Sequence, residues 1–169
     1  MPGSSYEGKD LTRGWIVGIK PKTVLDVGCG WGTYSDMIKS TGIELEKLDA
    51  IEVWQPYIEE YKLANKYNKV INVDAREHTD WNYDIVILGD ILEHMTKEEA
   101  IAVWKSVSEQ ARYAVISIPI IHYPQGHDHD NPYEEHIKDN WTTEEVLDTF
   151  SNIIAHEAYN VVGVFLAKF

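Results

Sequence analysis

Val24-Leu-Asp-Val-Gly-Cys-Gly-Trp-Gly-Thr33 joins an apolar, β-type run to three glycines at alternate positions, and an amphipathic segment follows at once. This pattern predicts a strand whose carboxyl end turns through a tight backbone loop into a helix. Glycine suits that loop because the chain must turn sharply and a Cβ would keep a ligand off the main chain. In an open α/β sheet, the crevice at the carboxyl end of the first strand is where a nucleotide-like cofactor binds.

Working outward, Tyr6 to Ile19 reads as a short leading helix or loop with Trp15, Ile16 and Ile19 on its apolar side. Thr23 to Val27 is the first strand, Thr33 to Ser40 the first helix of the repeat, and Gly42 its C-terminal cap. Leu48 to Val53, Val70 to Val73, Tyr83 to Leu88 and Tyr113 to Ile118 read as further strands. Pro56 opens a helix expected to reach about Tyr67, and Thr96 with Glu99 forms a capping box for a helix to about Gln110. Strands alternating with helices in this rhythm imply a parallel sheet covered on both faces. The rhythm breaks at the end. After a helix from Thr142 to about Phe150, Ile153–Tyr159 and Val161–Ala167 are almost contiguous and read as a β-hairpin. The expected fold class is therefore α/β, with a doubly wound, mostly parallel seven-stranded sheet and a C-terminal antiparallel hairpin.

At 169 residues this reads as one domain, 1–169, with a short lead over 1–20 and a polar lid loop over 119–141. There is no apolar run of about 18 residues to span a membrane, and Met1 to Tyr6 lacks the basic and apolar regions of a signal peptide. The single cysteine, Cys29, excludes an internal disulfide and fits a reducing cytoplasm, so a cytoplasmic location is expected. A formal charge of −13 argues against a long nucleic-acid footprint, though not against contact with one nucleotide end. Oligomeric state leaves no sequence signal.

A dinucleotide fingerprint wants glycine at the first, third and sixth positions after the strand. Here Gly28 and Gly30 fit, Thr33 holds the sixth place and the third glycine is Gly32. That spacing makes a nucleotide-dependent oxidoreductase a poor fit. Asp26-Val-Gly-Cys-Gly-Trp-Gly32 instead resembles the first motif of the class I S-adenosylmethionine-dependent methyltransferases, which implies a Rossmann-like fold and S-adenosyl-L-methionine as cofactor. The resemblance runs from about residue 22 to the C-terminus. It implies that Gly28, Gly30 and Gly32 cradle the methionine end, with Asp26 organising the loop and meeting the cofactor's amino group. Glu52, in Ala-Ile-Glu-Val-Trp, stands where the family's ribose-binding acid ends the second strand, and a carboxylate can accept from two adjacent hydroxyls. Asp74, in Asn-Val-Asp-Ala, stands where the family binds the adenine amino group, with the Ala75 amide facing a ring nitrogen. Tyr83 to Met95 fits the fourth motif, in which Leu92-Glu93-His94 is a family variant and Asp90 falls at the mouth of the crevice.

Asp90, Glu93 and His94 lie close along the chain, and acceptor hydroxyls need a proton acceptor. Asp90 or His94 is the candidate. The segment from Pro119 to Trp141 has no convincing helix or strand, which marks a lid or binding loop. It holds His122, His127, His129 and His136 and several acids. An acid-x-x-Glu-His motif followed by a late histidine before a Trp-Thr helix start is similar to the small-RNA 2′-O-methyltransferases. That similarity implies a divalent cation, Mg2+, Mn2+ or Fe2+, on Glu93, His94 and His136, with Asp90 where that family has a glutamate. Such a cation polarises a hydroxyl or diol. Tyr123, Tyr133 and Trp141 offer rings to stack on an acceptor. The leading expectation is O-methylation of a small-molecule or sugar acceptor, with or without a metal. The alternatives are a cofactor-binding module that serves a partner without catalysis, and a methyltransferase acting on an RNA 3′ end.

Overall fold

Which side each strand residue faces explains why the sheet is covered twice. The computed structural model describes residues 5–128 and 130–169, so the reading of Met1 to Ser4 and the candidate His129 lie outside the described residues. Along β4 (Ile85–Gly89), Ile85 and Ile87 enter one apolar cluster while Val86 and Leu88 enter another. This is the period of two that a strand imposes on its side chains. The first cluster is roofed by α1 (Lys9–Ile19) and α2 (Thr33–Ser40), through Ile16, Tyr34 and Ile38. The second is roofed by α4 (Lys97–Ser108) and α5 (Thr143–Thr149), through Trp104, Val107 and Val146.

The sheet has seven strands in the order β3-β2-β1-β4-β5-β7-β6. Strands β1 (Thr23–Val27), β2 (Lys47–Ile51), β3 (Lys69–Ile71), β4 and β5 (Tyr113–Pro119) are mutually parallel, and β7 (Val162–Lys168) pairs antiparallel with both β5 and β6 (Ile153–Ala158). The chain builds outward from β1 to β3, then returns to the other side of β1 to lay down β4. The strand order thus reverses between β1 and β4, which opens a crevice at their carboxyl ends.

Two local expectations are corrected. The helix opened by Pro56, α3 (Gln55–Glu60), stops far short of Tyr67. Lys62 takes a left-handed φ of 50° and a 3-10 turn follows over Leu63–Asn65. Glu59 and Glu60 crowd the negative end of the helix, and the break buries Leu63 and turns Tyr67 toward the glycine loop. Strand β3 ends at Ile71 instead of Val73, because the Asn72 side chain donates to the Glu52 and Val53 carbonyls at 2.8 and 2.9 Å. The loop over 119–141, read as having no convincing helix or strand, holds a 3-10 turn at Pro132–Glu134 capped by Asn131. No helix among the described residues is long and apolar enough to cross a membrane.

Candidate active site

A cavity of about 500 Å³ opens at the reversal of strand order. Its floor is the loop after β1, where Gly28, Gly30 and Gly32 all hold positive φ (66°, 50° and 87°), a region costly for residues with a Cβ. The Gly28 and Cys29 amides donate to the Ile51 carbonyl at 2.9 and 3.2 Å, which ties the loop to the end of β2. Glu52 follows directly. Its carboxylate accepts from the Gly30 amide at 3.0 Å and the Trp54 amide at 2.9 Å, so one side chain fixes both loops while lining the cavity. Burial pushes the Glu52 carboxyl up to about 7, against the pull of those amides.

Asp74 and Ala75 line the same cavity. Asp74 is held by the Arg76 guanidinium, with Nε 2.9 Å from Oδ1 and a second contact to Oδ2, and Arg76 also reaches Glu99 at 3.1 Å. Burial alone would raise the Asp74 carboxyl, but Arg76 holds it below its ordinary value. Two expected cofactor residues stand apart from the lining. Asp26 is 1% exposed behind the loop and accepts from the Tyr67 hydroxyl, with burial pushing its carboxyl up to about 7. Gly32 caps α2 and meets the Lys66 side chain.

Asp90 sits at the end of β4 with a left-handed φ of 56°. The preceding Gly89 is obligatory on steric grounds, since a Cβ there would fall 2.2 Å from the Tyr34 ring. One Asp90 oxygen accepts from the Ser117 hydroxyl at 2.8 Å and the other from the Ser5 amide at 3.0 Å. The Lys9 ammonium lies 3.9 Å from Asp90 and donates to the Tyr34 hydroxyl at 2.8 Å. Burial lowers the Lys9 pKa, and the surrounding carboxylates Asp90, Asp26 and Glu93 oppose that shift. Glu7 completes the strap by accepting from the Val161 and Val162 amides at 2.9 and 3.1 Å.

Glu93, His94 and His136 offer one ligand atom each, all within 4.8 Å of one another. The turn Leu92–His94 brings the first two together, and the lid brings the third. The lid folds back because the Ile137 and Lys138 amides donate to the Glu93 carbonyl at 2.9 and 3.0 Å. His94 Nδ1 faces the Glu135 carbonyl at 3.0 Å and His136 Nδ1 faces the Tyr123 carbonyl at 2.6 Å. In that pairing each Nδ1 carries the proton and each Nε2 is left with a free lone pair. Glu93 is 1% exposed with Oε2 unpartnered among the described residues, and burial, then Asp90, raises its carboxyl well above the ordinary range. Burial also lowers both imidazoles, so the neutral, ligating form is favoured. A buried, orphaned carboxylate oxygen beside two imidazole lone pairs is a donor set that fits a divalent cation.

The sheet order, the glycine loop and the acids at the ends of β2 and β3 together agree with one family. Residues 25–115 match the methyltransferase domain. The chain belongs to the class I S-adenosylmethionine-dependent methyltransferases. Its curated relatives include a ubiquinone biosynthesis O-methyltransferase from Pseudomonas savastanoi pv. phaseolicola, 33% identical over 92 residues. That match takes in 50% of this chain and 40% of the relative, so the chain spans well under half the length of the curated relatives it matches. The fold is shared with magnesium protoporphyrin IX methyltransferase from Synechocystis, solved with bound S-adenosylmethionine. The two superpose with a TM-score of 0.68 at 15% identity, over 96% of this chain and 78% of that one. It is shared too with the methyltransferase domain of bacterial CtHen1, at a TM-score of 0.67 and 14% identity, over 95% and 97%.

Within this cavity, the loop over 119–141 supplies fewer residues than the sequence suggested. His122 and His127 are solvent-exposed beside Asp139 and Glu135 and do not line the cavity. Trp141, expected to face an acceptor, is 1% exposed in the core against Phe150, whereas Tyr123 and Tyr133 do line the cavity. The residues missed were Ser5, Glu7 and Lys9 from the lead and Arg76 on Asp74; Glu134 was read only as one of the acids of the 119–141 loop. Arg76, two residues from Asp74, was the one with a local signal.

Proposed function

We propose that this chain moves a methyl group from S-adenosylmethionine to a hydroxyl of a small molecule or sugar, with a divalent cation held by Glu93, His94 and His136. The observation that carries the reading is the convergence of those three side chains on the cavity that the glycine loop, Glu52 and Asp74 line. Gly28 and Gly30 would receive the methionine end, Glu52 the ribose hydroxyls, and Asp74 with the Ala75 amide the adenine edge. Asp74 is positioned for that role by the Arg76 clamp. When bound, the cation supplies Lewis acidity to an acceptor hydroxyl. With His94 committed to the metal set, Asp90 is the carboxylate left to take the acceptor proton. Bound there, S-adenosylmethionine would supply the methyl group and leave as the neutral thioether, while Asp90 would keep the proton released by the acceptor hydroxyl. The lid and the lead strap both wall the cavity, which supports catalysis over a passive cofactor-binding role. The O-methyltransferase relatives support oxygen as the acceptor atom.

The similarity of the Glu93-His94 motif and the late His136 to the small-RNA 2′-O-methyltransferases supplies one reason to weigh a nucleic-acid end as acceptor. Against it, Arg76 is the single Lys or Arg in the cavity lining among the described residues, and it is paired with Asp74 and Glu99. Phosphate recognition needs free cations, so the small acceptor is preferred.

The test is thermal unfolding with S-adenosylhomocysteine, with and without Mn2+. At a hundredfold the dissociation constant, each ligand adds about 2.7 kcal/mol, roughly 5–10 °C in Tm. We expect a rise with the thioether alone and a further rise with Mn2+. His136→Ala is expected to keep the first and lose the second. No rise with S-adenosylhomocysteine would overturn the cofactor assignment, and an unchanged Mn2+ response in His136→Ala would overturn the metal set.

A further inference from the structure

Arg76 stands in the wall of the cavity, with a second, smaller space of about 230 Å³ on its far side. Its contacts to Asp74 divide unevenly between the two carboxylate oxygens. Asp74 Oδ1 accepts from the Arg76 backbone amide and from Nε, both at 2.9 Å. Oδ2 accepts, among the described residues, from Nη2 alone. A carboxylate oxygen offers two lone pairs, so Oδ1 is filled and Oδ2 keeps one. The guanidinium is itself held, because Nη1 donates to Glu99 Oε1 at 3.1 Å. Glu99 in turn accepts the Thr96 amide on Oε2 at 2.8 Å, in the capping box that opens α4. A planar fork anchored at both ends fixes the plane of the carboxylate it grips. Arg76 also keeps the Asp74 carboxyl below its ordinary value, so the group has no proton to donate. One acceptor position is left on a carboxylate that lines the cavity.

We propose that Arg76 sets the base specificity of this site: the single acceptor it leaves on Asp74 takes a 6-amino purine and turns away a 6-oxo purine. The proposal rests on the reading above, in which the adenine edge lies at Asp74 and the Ala75 amide. Adenine brings a donor at its 6-amino group and an acceptor at N1, which complements that pair. Hypoxanthine reverses both, with an acceptor at O6 and a donor at N1. Its O6 would face a carboxylate and its N1–H a backbone N–H, so polar groups on both sides would be left unpaired out of water. Sites built around a ligand N–H reject analogues that lack it by about a hundredfold or more. The reversed pattern has one escape, a carboxylate that swings round to accept from N1–H. Arg76 closes it, since rotating the Asp74 side chain would break the Nε and Nη2 contacts together. Lysine at this position would supply a point charge without the two-pronged grip, so charge alone does not make the selector.

The experiment titrates the protein by calorimetry with S-adenosylhomocysteine and with S-inosylhomocysteine, which differs from it only in carrying the 6-oxo base. Weak binding of the second is read from its displacement of the first. The unaltered protein is expected to prefer the adenine compound by about a hundredfold or more. In Arg76→Gln and in Arg76→Lys, each checked for an unchanged Tm, that ratio is expected to shrink by about tenfold or more, chiefly because the inosyl compound binds better. Arg76 borders the smaller space on its far side, so shortening it opens no void in a packed core. Arg76→Lys carries the test alone if Arg76→Gln does not fold. A merely structural role would weaken both ligands alike and leave the ratio where it was. A ratio near or below one in the unaltered protein overturns the proposal, and so does an unchanged ratio in a folded variant. Protein that takes neither compound overturns instead the cofactor reading on which the proposal rests.

Discussion

Glu52 fixes two loops at once, and in the proposed reading the same carboxylate would hold the ribose hydroxyls. Its removal in Glu52→Ala deletes the acceptor of the Gly30 and Trp54 amides together with the proposed ribose contacts. Each charge-assisted hydrogen bond is worth about 1.5–3 kcal/mol, so affinity for S-adenosylhomocysteine should fall by roughly tenfold to a hundredfold or more by calorimetry. Retained affinity would show that the ribose is held elsewhere. Asp26 yields a prediction of a different kind. Between its ordinary value and about 7, the folded protein holds a proton that the unfolded chain has released. The contribution of that carboxyl to stability therefore falls as pH rises through this window, by up to about 1.4 kcal/mol for each pH unit. Asp26→Asn cannot release the proton. The stability of wild type relative to this variant, from urea unfolding, should decline from about pH 4 to about pH 7, and a flat difference would contradict it. Glu52 carries the same sign.

At the scale of elements, local chemistry was legible and long-range closure was not. The start of α4 could be read from Thr96 and Glu99 because a capping box closes within four residues, and both of its hydrogen bonds are present, at 3.2 and 2.8 Å. Thr96→Ala should cost about 1 kcal/mol in chemical denaturation, with Glu99→Ala costing less than that in the Thr96→Ala background, since the two act as a pair. The strands and the antiparallel hairpin were likewise legible from apolar runs. The end of α3 was not, because the left-handed Lys62 has no signature and serves a distant contact between Tyr67 and Asp26. The lid shows the same limit. Its histidines could be counted, but spacing alone could not choose among them; only the resemblance pointed to His136, which the Ile137 and Lys138 amides on the Glu93 carbonyl hold beside Glu93 and His94. Lys9 and Asp90 are separated by most of the first half of the chain, so no spacing rule could pair them.

For the molecule as a whole, the net charge of −13 acts everywhere at once. Self-repulsion of that size opposes the compact state, and salt relieves it. Raising KCl from about 0.01 M to about 0.15 M shortens the screening length from about 30 Å to about 8 Å, so Tm should rise by a few degrees. A fall would mean that ion pairs such as Arg76 with Asp74 outweigh the repulsion.

The strap at Asp90 also bears on how this protein should be handled. Ser5 is fastened beside the mouth of the cavity, at the carboxyl ends of the parallel strands. Phe169 is fastened to the Arg112 carbonyl, just before β5 begins, at the opposite rim of the sheet. A fluorophore attached at Ser5 itself would stand in the doorway of the cavity. The same attachment after Phe169 would leave that doorway clear, which makes it the side for immobilising the protein on a sensor chip.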